Sequence, residues 1–286
     1  MTPPRPSKHW FLAVALTLAL AACGERQTVA ERNALLAPAY QIFEPEGDGP
    51  FPVAILVPGC GGLFGDEGPK EIMRDYAREA ATRGYIALVV DSFTPRSIGF
   101  DKARKLVCAG LTLRGGQRAG DIVAAIEHAR ALPGALTDGY VIAGWSHGGW
   151  AVMDVMTFDM DAKGPPGLAD PPRDALAAVD GVYLTYPYCG FGSRTNKRRW
   201  AKAPAASIVV VEGDTVSSPE SCSKAFFNIY KSGVTLDIEM FRGVTHAFDE
   251  SDQTATSKFV YDESVAARAH RRFGDFLDAV AQGAAN

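Results

Sequence analysis

Ser146 is the residue of this chain whose setting most clearly suits covalent chemistry. It stands in Gly144-Trp145-Ser146-His147-Gly148-Gly149, directly after the apolar run Tyr140-Val141-Ile142-Ala143. A strand that breaks into Gly-x-Ser-x-Gly and then into a helix is a nucleophile elbow. The turn strains the serine backbone, so Gly144 and Gly148 keep neighbouring positions small. It also points the hydroxyl outward and leaves the His147 amide at a helix N-terminus, where the dipole favours developing negative charge. Such a serine needs a base. Of the five histidines, His9 lies in an apolar N-terminal segment, His128 and His270 fall within helical patterns, and His147 follows the serine. That leaves His246, in a loop after the last expected strand. An imidazole acting as base needs an acid to fix its tautomer. Glu212-Gly213-Asp214 follows a strand lying between elbow and histidine. Asp214 is the first choice, because Gly213 permits a tight turn before it, and Glu212 is the runner-up. Asp249, close to His246 in sequence, suits a surface or loop-ordering role. A second oxyanion donor is expected from Pro58-Gly59-Cys60-Gly61-Gly62, through the amide of Cys60 or Gly61, beside that of His147. One such donor is worth about 2.7–4 kcal/mol in the transition state.

These residues need a scaffold that brings distant loops to one edge. Short Val/Ile/Leu runs at 52–57, 85–90, 140–145, 178–184, 206–211 and 234–241 read as buried strands. Helical patterns at 70–83, 114–132, 148–157, 221–231 and 260–281 separate them. Continuous apolar strands alternating with helices predict an α/β architecture, a mostly parallel sheet covered on both faces. That is the α/β-hydrolase arrangement, with Ser, Asp and His in its chain order. Two segments stand outside the repeat. Residues 159–173 are rich in Gly, Pro and Asp, and residues 190–204 carry Arg194, Lys197, Arg198 and Arg199. Each is either a cover over the site or a surface insertion.

The N-terminus carries a separate message. Arg5 and Lys8 precede the apolar run 10–22, which ends in Leu20-Ala21-Ala22-Cys23-Gly24. A run that short, with small residues before a cysteine, resembles a bacterial lipoprotein signal peptide. The resemblance implies cleavage before Cys23 and its lipidation, a membrane partner through that anchor, and an envelope location facing the periplasm. Gly24, rather than an acidic residue, resembles outer-membrane lipoproteins. The organisation expected is a signal peptide at 1–22, a polar patternless tether at 23–34 and one hydrolase domain at 35–286. Cys60, Cys108, Cys189 and Cys222 then make an even number in an oxidising compartment, which favours two disulfides among three possible pairings. Cys60 with Cys108 and Cys189 with Cys222 are preferred, since each pair joins loops expected at one end of the sheet. The net charge of −4, with no basic run interleaved with aromatics, gives no nucleic-acid surface. No metal or organic cofactor is implied, because no cluster has ligand spacing.

Several of these motifs together resemble the dienelactone hydrolase family, over roughly residues 41–277. They are Pro58-Gly59-Cys60-Gly61-Gly62, Asp91-Ser92-Phe93-Thr94-Pro95-Arg96, the elbow, Tyr186-Pro187-Tyr188-Cys189, the Asp214 loop with Cys222, and His246-Ala247-Phe248-Asp249. The resemblance implies a triad of Ser146, Asp214 and His246 acting on a small-molecule ester through an acyl-enzyme. The chain departs from the founding members in holding serine where they use cysteine, and Cys60 with glycines where they place a glutamate. Arg96 either binds a substrate carboxylate or pairs with a nearby acid. A peptidase or amidase on the same fold, and a non-catalytic envelope binding protein, are the other readings.

Overall fold

The computed structural model describes residues 26–253 and 257–283. The apolar run 10–22 and Cys23 lie outside the described residues. Seven strands form one sheet: β1 (Gln41–Phe43), β2 (Val53–Val57), β3 (Ile86–Val89), β4 (Tyr140–Trp145), β5 (Val179–Thr185), β6 (Ala205–Val211) and β7 (Leu236–Phe241). Their order is β1-β3-β2-β4-β5-β6-β7, with only β1 antiparallel to its neighbour. This is the α/β-hydrolase fold. Three-residue β1 is too short to show a period-2 signal in the sequence.

Among the described residues six helices of eight residues or more accompany the sheet: α1 (Val29–Leu36), α2 (Ile72–Thr82), α3 (Gly115–Arg130), α4 (His147–Val155), α5 (Pro219–Tyr230) and α6 (Glu263–Ala281). Side chains alternate across β2 and so divide the core in two. Val53, Ile55 and Val57 pack with α3 residues such as Ile122 and Ile126 and with Val152 of α4. Ala54 and Leu56 face the other way, toward Met73, Tyr76 and Ala77 of α2 and Phe273 and Leu277 of α6. Burial on both faces explains why β2, β3, β4 and β6 read as unbroken apolar runs.

The stretch 23–34 was expected to be a patternless tether, and its described part is largely ordered. Gln27 exchanges backbone hydrogen bonds with Gly167 and Ala169, and α1 begins two residues later. Thr28 and Glu31 form a capping box at its start. Thr-x-x-Glu is a legible helix signal, and it was missed because the helix it opens is short and only weakly amphipathic. Residues 159–173 take up the far side of that contact, with Leu168 buried in the core. Residues 190–204 are likewise strapped down rather than looped out. Thr195 donates to the Met153 carbonyl, Ala201 to the Met156 carbonyl, and Trp200 is buried.

Candidate active site

Ser146 sits between β4 and α4 with φ 50° and ψ −116°, a conformation L-residues rarely hold. The surroundings enforce it. The Ser146 amide donates to the Thr185 carbonyl (3.0 Å), and its own carbonyl accepts from the Tyr188 and Trp150 amides (3.0 and 3.1 Å). Gly148 has no alternative: a Cβ there would lie 2.0 Å from the Val57 carbonyl oxygen. The start of the helix behind the serine thus lies backbone to backbone against the end of the neighbouring strand β2.

His246 Nε2 lies 2.9 Å from Ser146 Oγ, and its Nδ1 lies 2.7 Å from Asp214 Oδ2. With the Nδ1 proton directed to the carboxylate, Nε2 is left to accept the serine hydroxyl. Gly213 turns through φ 71° just before the acid. The other oxygen of Asp214 accepts the amides of Val216 (2.7 Å) and Ser217 (3.0 Å). Burial alone would raise this carboxyl. The bonds and charge from His246, with those two amides, hold it below the usual carboxylate value. Glu212 is exposed and pairs with Arg242, so it does not compete for His246.

The expected oxyanion loop lies against the elbow, where a Cβ on Gly59 would come 3.6 Å from Ser146 Cβ. Its amides at Cys60 and Gly61 donate to no acceptor among the described residues, while Gly62 closes a turn onto the Gly59 carbonyl. Cys60 is joined to Cys108, and Cys189, just beyond β5, to Cys222 on α5. The first bridge is solvent-accessible at Cys108, whereas both cysteines of the second are buried. A cavity of about 300 Å³ adjoins Gly61 and Gly62, walled by Phe93, Ile98 and Phe100. Lys70 spans from this loop to the histidine loop. Its Nζ pairs with Glu250 at 2.9 Å and would be 3.0 Å from a Cβ on Gly61.

Two sequence expectations need correction. Arg96 is turned inward: it binds both oxygens of buried Asp121 (2.8 and 3.1 Å) and the Ser92 carbonyl. Of its two readings the pairing with an acid is the one the structure contains. Asp249 is no surface residue. It is 3% exposed and accepts the hydroxyls of Tyr76 (2.8 Å) and Tyr186. Burial pushes its carboxyl up to about 6 in spite of those bonds. The Tyr186 ring in turn packs on the His246 imidazole, with centroids 4.5 Å apart. The loop-ordering part of the expectation therefore has a physical route. Nothing in the local sequence marks this burial, because both tyrosines come from distant elements.

His147 is buried, with its Nδ1 3.2 Å from the Arg118 guanidinium. Burial, then the neighbouring cation, drives its pKa well below the ordinary histidine value, so the ring is neutral. Arg118 was not singled out from the sequence, where it is one of several arginines on a helical pattern.

The geometry and topology define a protein of the α/β-hydrolase fold with a Ser-His-Asp hydrogen-bonded relay at the carboxyl ends of its strands. The sequence model of the dienelactone hydrolase family matches residues 174–281. That region contains Asp214 and His246 but not the elbow. Among solved structures, a dienelactone hydrolase-like promiscuous phosphotriesterase from metagenomic libraries is similar at 15% identity and TM-score 0.59, over 84% of this chain and 92% of that one. A thermophilic esterase from the planctomycete Thermogutta terrifontis is similar at 17% identity and TM-score 0.58, over 82% and 85%. The same esterase has been solved phosphonylated by cyclosarin, similar at 18% identity and TM-score 0.58 over 82% and 86%. No curated protein matches the chain.

Proposed function

We propose that this chain is a serine hydrolase of the dienelactone hydrolase family that cleaves carboxylic esters through an acyl-enzyme. The observation that carries the reading is the unbroken relay from Ser146 Oγ through His246 to Asp214 at a strained elbow. Ser146 attacks the ester carbonyl while His246 Nε2 takes its proton, and the resulting imidazolium is stabilised by Asp214. The tetrahedral oxyanion is met by the amides of His147 and of Cys60 or Gly61. Collapse expels the alcohol, which receives the proton from His246. Water, activated by the same histidine, then releases the acid. The cavity beside Gly61 offers apolar walls for one side of the ester.

Replacing Ser146 by Ala is expected to lower kcat on p-nitrophenyl butyrate by about 10⁴-fold or more with the fold intact. A fluorophosphonate probe is expected to label wild type and not that variant. Undiminished turnover in Ser146→Ala sinks the assignment. The proposal extends to the N-terminus: Cys23 carries a lipid and holds the protein in the bacterial envelope. The apolar run before it and the two disulfides, which suit an oxidising compartment, support this. Metabolic labelling with an alkyne fatty acid, abolished in Cys23→Ser, is the check; labelling that persists in the variant refutes it.

A further inference from the structure

Arg118 is wholly buried, yet no carboxylate lies within ion-pair distance of it among the described residues. The nearby acid, Asp121, is engaged by Arg32 and Arg96. Removing a guanidinium from water without a contacting counter-charge is unfavourable, and a neutral residue of similar volume would serve stability better. Burial accordingly lowers its pKa to about 10, with Asp121 acting in the opposite sense, so the group stays charged near neutral pH. Its contacts show where that charge is applied. One terminal nitrogen donates to the Pro58 carbonyl (2.9 Å), and the other meets His147 Nδ1 (3.2 Å). The Nε reaches Ser92 Oγ at 3.4 Å, and the guanidinium lies over the Phe93 ring at 4.9 Å.

Pro58 opens the loop that offers the Cys60 and Gly61 amides. His147 supplies the amide next to the nucleophile. These two backbone segments come from different β-strands, and one planar cation ties both. We infer that Arg118 is a positioning residue for the oxyanion hole: it fixes the two donor segments relative to each other and biases the site toward negative charge. The inference rests on the serine-hydrolase reading above. A donor displaced by a fraction of an ångström, or deprived of a nearby positive potential, acts on the tetrahedral state far more than on the bound ester. Loss of Arg118 should therefore appear in kcat and leave KM nearly alone.

The test uses the full chain with p-nitrophenyl butyrate. Arg118→Met is expected to lower kcat by about 10²-fold with KM changed less than about threefold, and to weaken binding of an alkyl trifluoromethyl ketone in step with kcat. Ile126→Ala, eight residues further along α3 in the buried core, serves as the control for simple loss of helix packing. Where Arg118→Met does not fold, Arg118→Lys and His147→Ala carry the test. The first keeps the charge and loses the fork; the second cuts the tie to the elbow and keeps the amide. Each is expected to lower kcat about tenfold without a matching rise in KM. The inference is overturned if the folded Arg118 variants keep kcat within threefold of wild type. It is equally overturned if they lose no more than Ile126→Ala does at an equal drop in Tm. Either result, in an enzyme that Ser146→Ala inactivates, removes the role of Arg118 and leaves the hydrolase reading standing.

Discussion

Two buried aspartates serve the loop that carries His246, and their surroundings drive them in opposite directions. Asp214 receives a ring N–H and two backbone amides, which favour its ionised form. Asp249 is pushed up to about 6 by burial, with Glu250 adding to the rise, in spite of the two phenol hydroxyls it accepts. Burial alone, then, does not set a carboxyl's role. The count and polarity of its donors does. Asp214 is equipped to stabilise the imidazolium that the proposed mechanism requires. Asp249 is equipped to hold Tyr186 against the imidazole, which asks for an acceptor and not for a charge.

The sharpest way to break this contrast is to neutralise each acid in place. Asp214→Asn is expected to reduce kcat by about 10⁴-fold with the fold retained, since the wrong tautomer of His246 would be favoured. A loss below tenfold would remove Asp214 from the relay. Asp249→Leu acts mainly on the fold. It leaves two buried hydroxyls without an acceptor, each costing about 1–3 kcal/mol, and thermal unfolding should register the sum. An unchanged Tm would mean the tyrosines find other partners. The next smaller effect is proton linkage. Asp249 titrates near 6 in the folded chain and near 3.9 when unfolded. Its contribution to stability is thus fully present below about pH 4 and is lost as pH rises through about 6. Asp214, held low, contributes stability that is present above pH 4 and lost as pH falls through its folded value. Unfolding of Asp249→Asn measured from pH 4 to 8 should lack the decline expected of wild type, and parallel curves would refute the assignment. Last, Glu212→Gln should alter kcat less than twofold, because that side chain faces solvent beside Arg242. A large loss there would exchange the roles of the two acids.

Ser146, His246 and Asp214 could be read from the sequence because each is announced locally: glycines around a strand-to-helix turn, and loops after apolar runs. The buried strands were legible for the same reason. Asp249 and Arg118 were not. Their local sequences are an ordinary loop and an ordinary helical stretch, and only partners from remote elements bury them. Arg96 lay between these cases, since its residue type was visible but the acid it meets stands 25 positions away. Helix α1 was missed although its capping box is written plainly, because its weak apolar pattern concealed a segment anchored by Gln27.

That anchored segment bears on reach. Three residues lie between Cys23 and Gln27, and the four Cα-to-Cα steps that join them span at most about 14 Å when fully stretched. If Cys23 bears the proposed lipid, the leash is shorter than the domain it holds. The domain would ride against the bilayer instead of sweeping the space beyond it, and its territory would be the thin layer of solutes and lipids at that surface.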